Sequence, residues 1–497
     1  MLQIVTDARA KTCDRATRRD FLAVGALGLA GLTLSQWLSL RAMAASEQVD
    51  FVRDKSVVLL YLSGGASHIE TFDPHIGAPA GVRSLTGEAP TKLAGVTFGG
   101  TFPQLAARAD KLAVVRSFQH PVGDHDAAHV HVLSGGTNPT GKGDAGFSMS
   151  AAFARLRGAN HPATGLPTNV FLGEDEVDGQ YRNERQRALR GSAPGVLGPS
   201  YAPLVHHTAD EQDDYSAEKK GKNGKPSNDR RGNNGRPKQE SLAANMQLNM
   251  PAERLHDRRL LLAQLDRINR GIDASGMMDG LDKFNAQATE LLLGGAADAF
   301  DFRKENPSLV ERYDTSDIRI GHKVFRTSTL GRQMLVARRL CEAGCGFVTV
   351  HSAGWDMHAD GNNPGIVGGM EMLGRSVDRA VSAFLDDVDA RGLSDKILLV
   401  ITGDFGRTPK VNNRGGRDHW AKLGTLAFAG GGLNMGQAIG QSLRGADAPA
   451  TEPISAGHLM ATVMHALFDV GQLRLARGLP RDLTQRIESG EPIRELF

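Results

Sequence analysis

Six short apolar runs constrain this chain more than any other feature. They are SVVLLYL at 56–62, LAVVRSF at 112–118, NVFLG at 169–173, GFVTVHS at 346–352, KILLVITG at 396–403 and GTLAFAGG at 424–431, and most are apolar nearly throughout rather than at alternate positions. A strand with one face in water alternates, whereas a strand covered on both faces does not. With helical patterns between them, the runs specify an α/β fold, a mostly parallel sheet sandwiched between helices. The 497 residues suffice for one large domain of this kind or two ordinary ones.

The clearest helical patterns cover 253–273, 328–343, 370–391 and 456–468. In the third, Met370, Leu373, Val377, Val381, Phe384 and Val388 recur every three or four residues and make one apolar stripe, which belongs to the core. His256 and His465 stand alone in such patterns and read as packing residues. Cys341 and Cys345 read as small buried apolar side chains rather than a disulfide, because Gly344 ends the helix between them. From Thr208 to Glu240 large apolar residues nearly vanish, so this charged insert cannot offset its ordering entropy by burial and reads as disordered.

Residues 1–45 read as a processing segment, which leaves 50–497 as a single domain. Arg18 and Arg19 precede Phe21, Leu22 and a Gly- and Ala-rich run that ends at Ala42, Met43 and Ala44. This is the pattern of a twin-arginine export signal, and its hydrophobicity is moderate for a membrane anchor. The expected location is extracytoplasmic, periplasmic or secreted, with membrane contact only through an uncleaved signal. A formal net charge of +2 and an aromatic content of 5% argue against a nucleic-acid partner.

Three polar clusters begin where strands end: SGGASHIETFDP at 63–74, HSAGWDMHADG at 351–361 and GDFGRTP at 403–409. In an open parallel sheet the carboxyl ends of the strands form the ligand-binding edge, so topology should bring these clusters together. Two more carry histidines: HPVGDHDAAHVHVLSG at 120–135, with His125, Asp126, His129 and His131, and NNRGGRDHW at 412–420, with Asp418 and His419. On a helix His125 and His129 would share one face. Carboxylates crowded against imidazoles suit a divalent ion, with zinc or calcium expected, although loop histidines bonded to backbone would look the same in any single cluster.

WDMH, ITGDFGRTP, GRDHW and AGHLMATVMHAL, together with the export signal, resemble a large bacterial family of exported proteins, the domain of unknown function numbered 1501. The resemblance runs from about residue 50 to the C-terminus apart from the insert. That family is similar to the sulfatases and alkaline phosphatases, which implies an alkaline phosphatase-like fold with metal at the C-terminal edge of the sheet. By this resemblance Asp356, His358 and His419 hold one ion and Asp404 contributes to a second. Phe405 replaces the expected neighbour of Asp404, and Ser63 stands where a further aspartate would be, a gap that Glu70 or Asp73 would fill if the chain turned back. His125 falls near the nucleophile position and His129 near its supporting arginine, so neither Ser, Thr nor Cys is in the expected place.

The implied activity is metal-dependent hydrolysis of a phosphate or sulfate ester, on a small molecule or a saccharide. His125, Asp126, His129 and Arg407 are the expected catalytic residues. With no side-chain nucleophile in place, water activated by metal would attack, His125 or His129 serving as general acid or base. Arg407 either grips the anion or forms a plain surface ion pair. His351 and Asp360 are expected behind the ligands or in solvent. The alternative is a non-catalytic extracytoplasmic binding or assembly protein that keeps the fold and part of the metal site.

Overall fold

The computed structural model describes residues 50–138, 146–162, 164–173, 182–206 and 297–497. Eight strands make its main sheet: β1 (Ser56–Leu62), β2 (Ala113–Val115), β3 (Asn169–Leu172), β4 (Leu204–His206), β5 (Phe347–Ser352), β6 (Ile397–Gly403), β7 (Leu426–Gly430) and β8 (Gln437–Ile439). Their order is β8-β2-β7-β6-β1-β5-β3-β4. The three longest strands sit together at the centre, where β1 pairs in parallel with both β5 and β6. The short edge strands β4 and β8 have three residues each, too few for a periodic signal in the sequence.

Six helices concern the site: α1 (His125–Leu133), α2 (Met149–Arg157), α3 (Arg182–Gly191), α4 (Leu330–Glu342), α5 (Arg375–Ala390) and α6 (Ala456–Leu467). Alternate residues of β1 face opposite ways. Val58, Leu60 and Leu62 join the core with α4 and α5, while Val57, Leu59 and Tyr61 join the one with α1, α2 and α6. Both faces are therefore dry, which is why the strands read as continuous apolar runs. All six residues of the stripe beginning at Met370 are buried, as expected, though their helix opens with a π turn at Met370–Gly374 before α5. Cys341 and Cys345 are free and buried, and burial pushes the Cys345 thiol up to about 12.

One departure from parallel pairing positions the site. β7 runs antiparallel to both β6 and β2, and Leu426 lies opposite Thr402 near the end of β6. The chain leaving β6 thus re-enters the sheet at the edge it has just left. A parallel neighbour would have required a crossover to the far edge. The antiparallel return keeps residues 404–425 at the C-terminal edge.

The segment read as an export signal, the charged insert and the helix expected at 253–273, including His256, lie outside the described residues. Among the described residues no helix is long and apolar enough to cross a membrane.

Candidate functional site

Each of the three central strands delivers its polar cluster to one place. After β1 the chain turns through Gly64 and Gly65, with φ of 108° and 88°. A Cβ on Gly64 would lie 2.6 Å from the Asp356 amide nitrogen, and one on Gly65 would lie 2.9 Å from the Phe405 ring, so only glycine lets the three loops approach this closely. After β5 come buried Trp355, Asp356 and His358; after β6 come Asp404, Phe405 and Arg407. A short antiparallel ladder pairs Gly406–Arg407 with His419–Trp420 and brings His419 over the edge. The Asp124 carboxylate caps α1 by accepting from the Ala127 amide, and the first two turns of α1 present His125 and His129.

Two groups of side chains meet there, and His125 belongs to both. The inner group is His125, His129 and Asp404. Asp404 has no exposed surface; its Oδ1 accepts from the Gly64 amide at 3.0 Å and its Oδ2 lies 2.5 Å from His125 Nδ1. His129 Nδ1 meets the His125 carbonyl oxygen at 2.7 Å, and a carbonyl only accepts, so this nitrogen carries the proton. Nε2 is then the acceptor for the Ser63 hydroxyl at 2.5 Å. Burial lowers His129 below the ordinary imidazole value, which keeps this neutral tautomer.

The outer group contains His125, Asp356 and His419, with His358 alongside. His358 Nδ1 lies 3.0 Å from Asp418 Oδ1, and its Nε2 is 2.9 Å from His419 Nε2 and 2.9 Å from Asp356 Oδ1. His419 Nε2 is 3.4 Å from Asp356 Oδ1, and His125 Nε2 is 3.6 Å from Asp356 Oδ2. That His125 nitrogen is buried and has no hydrogen-bond partner. Ligands about 2.0–2.1 Å from a tetrahedral ion stand roughly 3.3 Å from one another. The donor set fits a divalent cation in both spacing and chemistry. Phe405 packs against His125 and His419, with ring centroids 4.6 and 4.7 Å away.

Burial tends to raise the Asp356 carboxyl, but Arg407 and the imidazoles of His125, His358 and His419 outweigh it and hold the group far below the usual range. Asp404 is likewise held low, with His129 and His125 outweighing burial. His125 shows the converse: burial would lower it, yet Asp404 and Asp356 raise it to about 10.

Several residues expected at the site have other roles. Arg407 is neither a surface ion pair nor a free anion clamp, because it is wholly buried and its donors are occupied. Its Nε donates to the Gly65 carbonyl at 2.8 Å, its Nη1 to the Arg417 carbonyl at 3.1 Å and toward His358 Nε2 at 3.2 Å, and its Nη2 to the Gly64 carbonyl and Asp356 Oδ1. Asp126 faces outward from α1 and pairs with Arg187 and Arg190, so it does not join His125 and His129. Glu70 is taken up by Arg417 at 3.0 Å, and Asp73 by Arg116, His75 and Ser442, so neither fills the place of Ser63. His129, engaged through both nitrogens, has neither free for general acid–base work.

His351 is buried against Phe171, and Asp360 accepts from the Asn362 and Asn363 amides in its own loop. Sequence reading missed Glu184 on α3. Its carboxyl accepts from the Gly354 amide at 2.8 Å without a cationic partner in that contact, and burial raises it well above the usual range. Nothing in NERQRALR distinguishes it from a surface glutamate.

The family model described as a protein of unknown function, DUF1501, matches residues 54–497. The chain belongs to that family. Among solved structures, this DUF1501 protein is similar to the lipoteichoic acid synthase LtaP from Listeria monocytogenes, with 9% identity, 84% of this chain and 72% of that chain covered, and a TM-score of 0.35. It is also similar to the PsFucS1 sulfatase from Pseudoalteromonas sp., with 11% identity, 87% and 70% covered, and a TM-score of 0.34. For the phosphonate monoester hydrolase SpPMH from Silicibacter pomeroyi the values are 10% identity, 88% and 76% covered, and a TM-score of 0.33. Likeness at this level carries no chemistry across. No curated protein matches the chain.

Proposed function

We propose that this DUF1501 protein is an exported, metal-dependent hydrolase of phosphate or sulfate esters, its domain spanning residues 50–497 and its signal taking the twin-arginine route. The observation that carries the reading is the convergence of three imidazole Nε2 atoms on one carboxylate, that of Asp356, at the C-terminal edge of the sheet. Two imidazole nitrogens 2.9 Å apart share either a proton or a cation between them.

A divalent ion held there supplies Lewis-acid charge opposite the developing anion of an ester. Three imidazoles favour zinc over calcium, which prefers oxygen ligands. The chain's own residues do the remaining work. Arg407 fixes Asp356 and the glycine turn, Phe405 excludes water from one side of the imidazoles, and Glu184 accepts from the Gly354 amide and anchors the loop after β5. A saccharide or small-molecule ester outside the cell is the substrate class that suits an exported hydrolase.

A second reading, an extracytoplasmic binding or assembly protein, draws support from Ser63. The one hydroxyl bonded within the inner group is wholly buried and engaged by His129, so it is not presented to a substrate.

The test is turnover of a panel of phosphate and sulfate esters with zinc present, comparing wild type with His419→Ala. The hydrolase reading expects turnover in the wild type and its loss in the variant, with the unfolding free energy in urea changed by less than about 1 kcal/mol because His419 is half-buried. Equal turnover in both proteins would remove the site from the reaction.

A further inference from the structure

We infer that the protein holds one ion rather than two, between His125, Asp356, His358 and His419, and that Asp404 and Asp418 are not ligands but the carboxylates that orient two of those imidazoles. The inference rests on the metal reading above and concerns which of the two groups takes the ion. His125 presents Nδ1 to the inner group and Nε2 to the outer one.

The inner group has no atom to give. His129 Nδ1 bonds the His125 carbonyl, His129 Nε2 bonds Ser63, Asp404 Oδ1 accepts from the Gly64 amide, and Asp404 Oδ2 accepts from His125 Nδ1. An ion there would displace some of these bonds and leave the Ser63 hydroxyl or the Gly64 amide buried without a partner, which costs more than the bond contributes. His129 and Asp404 also have side chains with 0% exposure, so neither faces solvent.

The outer group is only partly engaged: Arg407 reaches His358 Nε2 at 3.2 Å and donates to Asp356 Oδ1, but other ligand atoms are left. His125 Nε2 is buried without a partner, His358 and His419 meet nitrogen to nitrogen, and Asp356 Oδ2 meets only His125 Nε2 at 3.6 Å. Side-chain exposures of 17% at His358 and 32% at His419 leave it open to solvent.

The same device appears on two of the imidazoles. Asp404 holds His125 by Nδ1 and Asp418 holds His358 by Nδ1. A carboxylate on the far nitrogen takes that nitrogen's proton in a hydrogen bond, leaves the lone pair on Nε2 and makes it a better donor to a metal. Asp404 and Asp418 are therefore positioning residues, each acting through a histidine.

The test is titration of zinc, and separately cobalt(II), into chelator-treated, folded full-length protein, with calorimetry and the visible cobalt spectrum as readouts. One equivalent is expected in the wild type. Asp404→Asn and Asp418→Asn should each still bind one equivalent, about ten- to a hundredfold more weakly, with the wild-type cobalt spectrum retained because the ligands are unchanged. A merely structural role would lower the melting temperature without moving the affinity of the folded protein.

Asp418 is half exposed, so its variant remains informative should Asp404→Asn fail to fold. Two equivalents in the wild type would overturn the one-ion count, an altered cobalt spectrum in Asp404→Asn would make Asp404 a ligand, and unchanged affinity in Asp418→Asn would overturn its orienting role; each leaves the metal reading standing. Folded wild type that takes up neither metal would overturn both.

Discussion

Arg407 and Arg417 are both wholly buried, lie on the same edge loop and have their guanidinium donors taken by protein acceptors. Their partners differ. Arg417 pairs with Glu70, and Glu70 is in turn bound by the Ser84 hydroxyl and by the Leu85 and Thr86 amides; carbonyls of Thr408, Pro409, Val82 and Arg83 take the other Arg417 donors. That network is closed, and its effect is to pin the glycine-rich loop to the segment after β1. Arg407 pairs with Asp356, a carboxylate also reached by three imidazoles. Its network ends at His125 Nε2, a buried nitrogen without a hydrogen-bond partner. Two equally buried arginines thus do different things: one locks a loop, and the other steadies a carboxylate that has more to bind.

The comparison breaks most easily at Glu70. Glu70→Ala should destabilise the fold by about 3–5 kcal/mol in urea unfolding, because it strands the Arg417 charge in the interior. Metal uptake per folded molecule should not change; a loss below about 1 kcal/mol would show that the carbonyls alone satisfy Arg417.

Asp378 sharpens the comparison as a buried acid held by amides rather than by a guanidinium in contact. It accepts from the Leu105 and Gln104 amides, and burial raises its carboxyl from 3.8 to about 6. The folded chain therefore binds this proton more tightly than the unfolded chain, a contribution that is full below about pH 4 and lost as the pH rises through about 6. Wild type should accordingly gain on the order of 2 kcal/mol over Asp378→Asn as the pH falls from 7 to 4. A constant difference across that range would place the Asp378 carboxyl at its ordinary value.

The smallest effect is expected at Asp126. Its pairs with Arg187 and Arg190 are solvent-exposed, so Asp126→Asn should change stability by less than about 1 kcal/mol and leave metal affinity unchanged. A tenfold drop in affinity would restore Asp126 to the site.

Much of the frame was legible because local chemistry encodes it. The run SVVLLYL must be covered on both faces, and the polar residues that follow each central strand must lie at one edge. Asp356, His358, Asp404 and His419 could be named from that rule and from the family resemblance. Their division of labour could not, because it depends on segments far apart in the chain. His125 meets Asp404 across 279 positions and His358 meets Asp418 across 60, and no periodicity records which nitrogen a distant carboxylate will hold. Arg407 looked available for an anion because a sequence cannot show that six acceptors surround it.

The sequence by itself determined six of the sheet's eight strands, the buried stripe beginning at Met370 and the edge where acid and imidazole would gather, since apolar patterning acts over a few residues at a time. Only the tertiary structure decided that His125 faces two groups, that one of them is closed by hydrogen bonds and that the other keeps unpartnered nitrogen. The physical reason is that a hydrogen bond's direction is fixed by the atoms on both sides of it, and here those atoms arrive from opposite ends of the chain.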